Sequence, residues 1–192
     1  ITTTMTFVST SEAILYQNAI PIFRDVLPHT LSLDPDCVEL KLKSLNAKLM
    51  RAKAIIVVHY GGNPAEISEF IRIMEDYNVA IIWDCAHAIG ASYRGNKIGS
   101  FERFACFSFH AVKNLGIGDG GILATNDHEI YNRAKKLRWM GVDSSTYERS
   151  SGGQYKWNYS VSELGYKYHM NDVSAVIARA QLKNLDEQNR LR

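Results

Sequence analysis

The fold is decided by residues 54–84, which read AIIVVHYGGNPAEISEFIRIMEDYNVAIIWD. Two continuous apolar runs, 54–58 and 79–83, have the length and composition of buried strands. In the segment between them, 64–77, apolar residues recur at helical spacing: Ile67, Phe70, Ile71 and Met74. A strand, a crossover helix and a second strand form a unit whose two strands are parallel. We therefore expect an α/β fold, a three-layer α-β-α sandwich with a mostly parallel sheet.

Further apolar runs predict more strands of this sheet, at 105–109 and 121–125, and an edge strand at 20–25. Helices are predicted at 11–16 with Thr10 or Ser11 as the N-cap, within 31–50, at 128–139 after the capping residue Asp127, and at 172–192. Residues 143–160, rich in Ser, Gly and Tyr, are predicted to form a long loop.

Polar side chains accompany the ends of two predicted strands. The second strand of the strand–helix–strand unit is followed by Asp84 and then His87, and the strand after it contains Ser108 and is followed by Lys113. Because ligands collect beyond the carboxyl ends of strands in open α/β sheets, these side chains are expected to share one pocket. They suit pyridoxal phosphate (PLP). Lys113 would form a Schiff base with the cofactor, Asp84 would keep its pyridine nitrogen protonated, and Ser108 would anchor its phosphate.

Each of these residues also has an ordinary structural explanation. Lys113 alone would be interpreted as a solvated surface lysine, and Asp84 as a turn residue or helix N-cap. Ser108 alone would be a small packed residue, and His87 a structural histidine. The combination in this order and spacing, rather than any single residue, predicts the cofactor site.

The same residues carry a family resemblance. It rests on five segments: TMTFVST (4–10), HYGG (59–62), DCAHAIG (84–90), GDGG (118–121) and GYKYHMND (165–172). They resemble the sugar aminotransferases of the DegT/DnrJ/EryC1/StrS family, which are fold-type I PLP enzymes acting on nucleotide-linked keto-sugars. Two positions depart from the family pattern. Trp83 stands where a Glu is often found, and Ala111 stands where several relatives have Pro.

The resemblance implies roles for further residues. Phe7 falls where the family has an aromatic side chain that stacks on the cofactor ring, although a core Phe beside a strand end would fit the sequence equally well. His87 would lie near the ring and its 3-oxygen, and His110 would contact the substrate. Asn171 would reach the cofactor phosphate of a neighbouring subunit, whereas the pair Asn171-Asp172 by itself is typical of a helix cap.

The resemblance also implies an activity. The expected enzyme moves an amino group from an amino acid, with L-glutamate as the expected donor, to a nucleotide-linked keto-sugar, in the biosynthesis of cell-surface polysaccharide or secondary-metabolite sugars. A homodimer is expected, since the predicted helix from Asp172 has an apolar face that a symmetric copy would cover. Two alternatives stay open: a non-catalytic regulatory protein that binds PLP or a nucleotide sugar, and a chain that is inactive without further segments.

Composition and charge bear on the class of protein and on its location. The chain has 192 residues, 46% of them hydrophobic, and a formal net charge of +2 with scattered basic residues. Neither a nucleic-acid surface nor a membrane segment is therefore expected. Three cysteines without CxxC spacing do not predict a disulfide framework, no metal site is predicted, and a reducing cytoplasm is the expected location.

The ends of the chain suggest that it is a piece of a longer protein. It opens without Met and stops inside a helical pattern, whereas members of the family it resembles are considerably longer. We therefore expect residues 1–192 to form part of a large PLP-binding domain, with residues 172–192 as the helix that leads toward a small domain.

Overall fold

A four-stranded sheet lies at the centre of the molecule, as the strand–helix–strand pattern predicts. The computed structural model describes residues 1–151 and 157–192. The strands are β1 (Thr2–Thr3), β2 (Phe23–Arg24), β3 (Ala54–Val58), β4 (Ala80–Asp84), β5 (Ser92–Tyr93), β6 (Asn96–Lys97), β7 (Ala105–Ser108) and β8 (Gly121–Ala124). The helices are α1 (Ser9–Leu15), α2 (Pro35–Ala47), α3 (Ile67–Tyr77), α4 (His128–Leu137), α5 (Thr146–Ser150), α6 (Asp172–Leu182) and α7 (Leu185–Arg190).

The central sheet has the strand order β3-β4-β7-β8. Strands β3, β4 and β7 are parallel, and β8 runs antiparallel to β7. The register pairs Asp84, the last residue of β4, with Val58 on one side and Cys106 on the other. The short parallel pair β1–β2 lies beside β3, where the Ile56 amide donates to the Ile1 carbonyl at 2.9 Å. The predicted mostly parallel sheet is therefore confirmed.

Successive side chains of a strand point to opposite faces of the sheet, so its odd-numbered and even-numbered residues have different surroundings. One face carries the odd-numbered residues of β3, β4 and β7 and packs on α2 and α3 in the main core: Ile55, Val57, Ile81, Trp83 and Ala105. From α3, Ile67, Phe70 and Ile73 are fully buried in the same core. Each such side chain stabilises the fold by about 1.5–3 kcal/mol through the apolar surface that it removes from water.

Helix α3 begins at Ile67 and not near Pro64, where the sequence pattern placed its start. A short 3₁₀ turn, Tyr60–Gly62, follows β3, and the chain then runs in extended conformation. The Ala65 amide donates to Nδ1 of the buried His59 at 3.0 Å. This hydrogen bond holds the segment against the end of β3, and the helix begins only after it.

The predicted N-cap of α1 is wrong. The helix spans Ser9–Leu15, its N-cap position is Val8, and no side chain caps it. Neither Thr10 nor Ser11 is available as a cap, because both lie inside the helix. The Thr10 hydroxyl instead bonds to a side chain of β4, and the Ser11 hydroxyl donates to the Val8 carbonyl at 2.9 Å.

Several predicted boundaries differ from the observed ones. The edge strand expected at 20–25 is limited to Phe23–Arg24. The expected loop 143–160 contains helix α5, whose capping box joins Ser145 and Glu148, while its residues 152–156 lie outside the described residues. The final helix is divided into α6 and α7 at 183–184. The Asp127 cap is confirmed, since its side chain accepts from the amides of Glu129 and Ile130.

Within residues 1–151 and 157–192, no helix has the length and apolar character needed to cross a membrane. The same residues contain no cluster of three or more His, Cys, Asp or Glu side chains arranged to hold a metal ion. Cys37, Cys85 and Cys106 are free thiols.

Candidate active site

A pocket with a volume of about 560 Å³ lies over the face of the sheet opposite the main core. Its floor is made by the even-numbered residues of the three parallel strands: Ile56, Val58, Ile82, Asp84, Cys106 and Ser108. Its rim comes from residues 6–13 and 110–113. The pocket brings together all the predicted site residues except Asn171: Phe7, Asp84, His87, Ser108, His110 and Lys113. Its volume is in the range of small-molecule sites.

Asp84 lies at the carboxyl end of β4, and both of its carboxylate oxygens are held. Oδ1 accepts from the Ala86 amide at 3.1 Å, and Oδ2 accepts from the Thr10 hydroxyl at 3.0 Å. An ionised carboxylate has about four acceptor positions, so capacity remains for a donor in the pocket. The arrangement suits the binding of a protonated ring nitrogen.

His87 is oriented by the turn that follows β3. Its Nδ1 accepts from the Gly61 amide at 3.3 Å, so in the neutral ring the proton is on Nε2. Partial burial lowers the pKa of His87, the charge of Lys113 lowers it further, and Asp84 opposes the change. With this lowered pKa the His87 ring is neutral and donates a hydrogen bond through Nε2.

The loop of His87 also lies close to the turn after β3. Gly62 has a φ of +84°, and a Cβ there would lie 2.8 Å from the His87 carbonyl oxygen, so the close approach of the two loops requires glycine.

Lys113 lies on the loop between β7 and β8. The loop is closed by backbone hydrogen bonds from the Phe109 amide to Gly120 and from the Ala111 amide to Gly118, both 2.8 Å. Lys113 itself is half-buried, and among the described residues its amine makes no hydrogen bond or ion pair. The amine is thus free to react with a ligand in the pocket.

Ser108 and His110 are adjacent along the approach to this loop. The Ser108 Oγ accepts from the His110 amide at 3.2 Å, which leaves the hydroxyl proton free to donate to an anion. The His110 side chain is exposed at the rim of the pocket.

Phe7 lies at the rim with 75% of its surface exposed. A core Phe would be buried, so the alternative explanation drawn from the sequence is wrong. An exposed aromatic ring at the rim of a pocket has a face available for stacking on a planar ligand.

Asn171 does not line this pocket. It borders a second pocket, beside Trp139 and His169, and its Oδ1 accepts from the Ser174 amide at 2.9 Å as the N-cap of α6. Within the described residues the amide Nδ2 has no partner.

Two residues of the site were not predicted from the sequence. Thr10 binds Asp84, and Thr6 binds Thr10, with both side chains lining the pocket. Both threonines lie in the segment TMTFVST (4–10) that carries the family resemblance, but nothing local in that segment indicates a bond to Asp84. The departure at Trp83 has a structural explanation, since this residue faces the main core and stacks on His59 at 5.3 Å.

The polar groups of the pocket fit those of PLP. Asp84 suits the ring nitrogen, the His87 Nε2 proton suits the 3-oxygen, and the Ser108 hydroxyl suits a phosphate oxygen. The unpaired Lys113 amine suits the aldehyde. Each polar group of the cofactor thus has a matching residue on this chain.

Comparison with known proteins gives a consistent result. The sequence profile of the DegT/DnrJ/EryC1/StrS aminotransferase family matches residues 1–192. The chain is 40% identical over 186 residues to uncharacterized protein MJ1066 of Methanocaldococcus jannaschii, covering 97% of this chain and 46% of that protein. It is 35% identical over 193 residues to the spore coat polysaccharide biosynthesis protein SpsC of Bacillus subtilis, covering 100% of this chain and 48% of SpsC. The chain thus spans about half the length of these relatives.

Solved structures share the fold. AtS13 from Actinomadura melliaura superposes with a TM-score of 0.83 at 39% identity, over 96% of this chain and 48% of AtS13. Spr1654 from Streptococcus pneumoniae, solved in its PMP form, has a TM-score of 0.80 at 25% identity, over 97% and 50% of the two chains. DesI, solved with its TDP-sugar product, has a TM-score of 0.80 at 26% identity, over 97% and 43%.

Proposed function

Because the chain belongs to the DegT/DnrJ/EryC1/StrS aminotransferase family, we propose that its protein is a PLP-dependent sugar aminotransferase. PLP is the cofactor of this family's aminotransferases. The observation that carries the proposal is the convergence of Asp84, His87, Ser108 and Lys113 in one pocket. These four residues come from the ends of β4 and β7 and from the loops that follow those two strands, and together they supply the groups that PLP needs.

When bound, PLP supplies an electron sink that stabilises negative charge on the substrate carbon. Lys113 Nζ would hold the cofactor covalently, and the same amine, once free, would serve as the general base for the proton on the substrate carbon. Asp84 holds the proton of the ring nitrogen through electrostatic attraction.

The other residues would orient the cofactor and cover its ring. His87 Nε2 would donate to the 3-oxygen, and the Ser108 hydroxyl would donate to the phosphate. Phe7 would stack on the ring and exclude water from it. His110, at the open rim, contacts the substrate.

The substrates we propose are an amino acid donor, L-glutamate, and a nucleotide-linked keto-sugar acceptor, in polysaccharide or secondary-metabolite sugar biosynthesis. Support comes from two relatives: DesI was solved with a TDP-sugar product, and SpsC is named for spore coat polysaccharide biosynthesis. The cytoplasmic location stays a prediction from the cysteines.

The test is covalent labelling of the full-length protein. It is loaded with PLP, reduced with borohydride and digested, and the modified peptide is identified by mass spectrometry. We expect the label on Lys113 and its loss in Lys113→Ala. Lys53→Ala is the matched control, because Lys53 is exposed and precedes the opposite end of β3.

Three other outcomes of the labelling experiment would contradict parts of the proposal. A label on a different lysine would overturn the role of Lys113, and the absence of PLP binding would overturn the cofactor. Labelling of Lys113 without amino transfer to any nucleotide-linked keto-sugar would favour the non-catalytic regulatory alternative.

A further inference from the structure

Thr6, which precedes α1, and Thr10, within α1, form a hydrogen-bonded chain that ends on Asp84. The Thr6 and Thr10 hydroxyl oxygens are 2.8 Å apart, and the Thr10 Oγ1 is 3.0 Å from Asp84 Oδ2. Thr10 is only 6% exposed, and both threonines line the pocket. The contact joins residues 74 positions apart in the sequence.

The direction of this chain follows from counting protons. An ionised carboxylate accepts hydrogen bonds and donates none, so Thr10 gives its single hydroxyl proton to Asp84. Thr10 therefore has only acceptor capacity left for Thr6, and Thr6 must be the donor of the second bond. The order is Thr6 to Thr10 to Asp84, with both protons directed toward the carboxylate.

The two bonds hold a side chain that the backbone alone leaves free. The register of β4 with β3 and β7 fixes the Cα of Asp84. The orientation of the carboxylate is set by the Ala86 amide on Oδ1 and by Thr10 on Oδ2. Removing one of these two hydrogen bonds would allow the carboxylate to rotate. A carboxylate held in one orientation stabilises a positively charged ligand group more strongly than a mobile one does.

We propose that Thr10, supported by Thr6, is a positioning residue that aims the Asp84 carboxylate at the ring nitrogen of the cofactor. The inference rests on the proposed function of the pocket. Thr10 is not a helix cap, since α1 has no side-chain cap. The segment 6–10 also carries Phe7, so one short segment places the stacking ring and the carboxylate relative to each other.

The experiment measures equilibrium binding of two ligands to the full-length protein. One is PLP, and the other is an analogue in which a CH group replaces the ring nitrogen while the aldehyde, 3-hydroxyl and phosphate are kept. Thr10→Val removes the hydroxyl at nearly constant volume, and Thr10→Ser restores it. Ser11→Ala is the control, because the Ser11 hydroxyl belongs to the same helix but bonds only to the Val8 carbonyl.

We expect Thr10→Val to raise the Kd for PLP about tenfold, the size typical of a lost hydrogen bond to a charged group. The Kd for the analogue should change by less than about twofold, because the analogue has no ring nitrogen for Asp84 to bind. Thr10→Ser and Ser11→Ala should resemble the wild type. The Kd of Thr6→Val for PLP should lie between those of the wild type and Thr10→Val, since Thr10 would keep its bond to Asp84.

A second measurement tests whether Thr10 acts through Asp84. In an Asp84→Ala background, Thr10→Val should have no further effect on PLP binding. Equal weakening of PLP and the analogue, an unchanged Kd for PLP, or full additivity with Asp84→Ala would overturn the inference while leaving the proposed function intact. Failure of the wild-type protein to bind PLP would instead overturn the proposed function itself.

Discussion

At the scale of single residues, His59 shows how burial changes the chemistry of a side chain outside the pocket. It is fully buried, stacks on Trp83, and accepts the Ala65 amide at Nδ1. Within the described residues its Nε2 has no hydrogen-bond partner. Burial lowers the pKa of His59 from 6.5 to about 4. The folded state therefore resists protonation of this ring, whereas the unfolded chain does not.

This difference predicts a loss of stability in mild acid. Well above pH 6.5 the ring is neutral in both states and contributes no pH dependence. As the pH falls toward 4, the unfolded state binds one more proton than the folded state, so the free energy of unfolding decreases, by about 3 kcal/mol in total. Urea unfolding at several pH values between 6.5 and 4 would measure this decrease in the free energy of unfolding.

The matched variants are His59→Gln, which removes the titrating ring, and His29→Gln, which changes an exposed histidine. His59→Gln should flatten the pH dependence, and His29→Gln should leave it unchanged. Identical slopes in His59→Gln and the wild type would show that another group causes the acid sensitivity.

At the scale of secondary-structure elements, helices α6 and α7 join the two loops that carry the site. Asn189 Nδ2 donates to the Ile89 carbonyl at 3.1 Å, and Asn189 Oδ1 accepts from Asn114 at 2.8 Å. The first loop follows Asp84 and the second contains Lys113. Gly90 has a φ of +86°, and a Cβ there would collide with Asn189 Nδ2. One asparagine thus ties the position of the carboxylate loop to that of the lysine loop.

We predict that Asn189→Ala loosens both loops. Losing these partly buried hydrogen bonds should reduce stability by about 1–2 kcal/mol. Amide hydrogen exchange should become faster at 86–90 and 110–118, measured by mass spectrometry on the full-length protein. Gly90→Ala should have the same effect, because a methyl group displaces the Asn189 amide.

Gln188→Ala is the control, since among the described residues its side chain makes no hydrogen bond. Unchanged exchange in both loops of Asn189→Ala and Gly90→Ala would mean that Asn189 is not a link between them.

At the scale of the whole molecule, α6 presents apolar side chains that the described residues leave uncovered. Val173 is 72% exposed, and Val176 and Ile177 are also exposed on the same helix. Asn171, at the start of this helix, lies outside the Lys113 pocket of its own chain. Both features agree with the prediction of a homodimer in which each copy contributes to the site of the other.

The prediction is tested by mixing two inactive variants of the full-length protein. In a mixed dimer of Asn171→Ala and Lys113→Ala, one of the two sites keeps both wild-type residues. Random exchange of subunits should therefore restore about a quarter of wild-type activity.

Asn171→Ser separates the two roles of Asn171, because serine caps a helix but lacks the amide donor. It should retain stability and lose PLP affinity. An active monomer in sedimentation, no recovery on mixing, or wild-type affinity in Asn171→Ser would mean that Asn171 only caps its own helix.

Local sequence patterns were enough to predict the sheet and most of the pocket residues. Apolar runs and helical spacing are local patterns, and they locate β3, β4, β7 and β8 to within a few residues. The twofold alternation of side chains then puts Asp84 and Ser108 on one face, because both are even-numbered in strands whose odd-numbered residues face the core. The Asp127 cap was equally local.

The remaining features depend on contacts that form only in the folded chain. The start of α3 depends on a bond from Ala65 to the buried His59, and the orientation of Asp84 depends on Thr10, which is 74 positions away in the sequence. The exposure of Phe7 and the separation of Asn171 from the pocket likewise follow from how the segments pack. Periodicity reports which way a side chain points from its own backbone. The identity of the group it meets is set by the packing of segments far apart in the chain, which no local pattern contains.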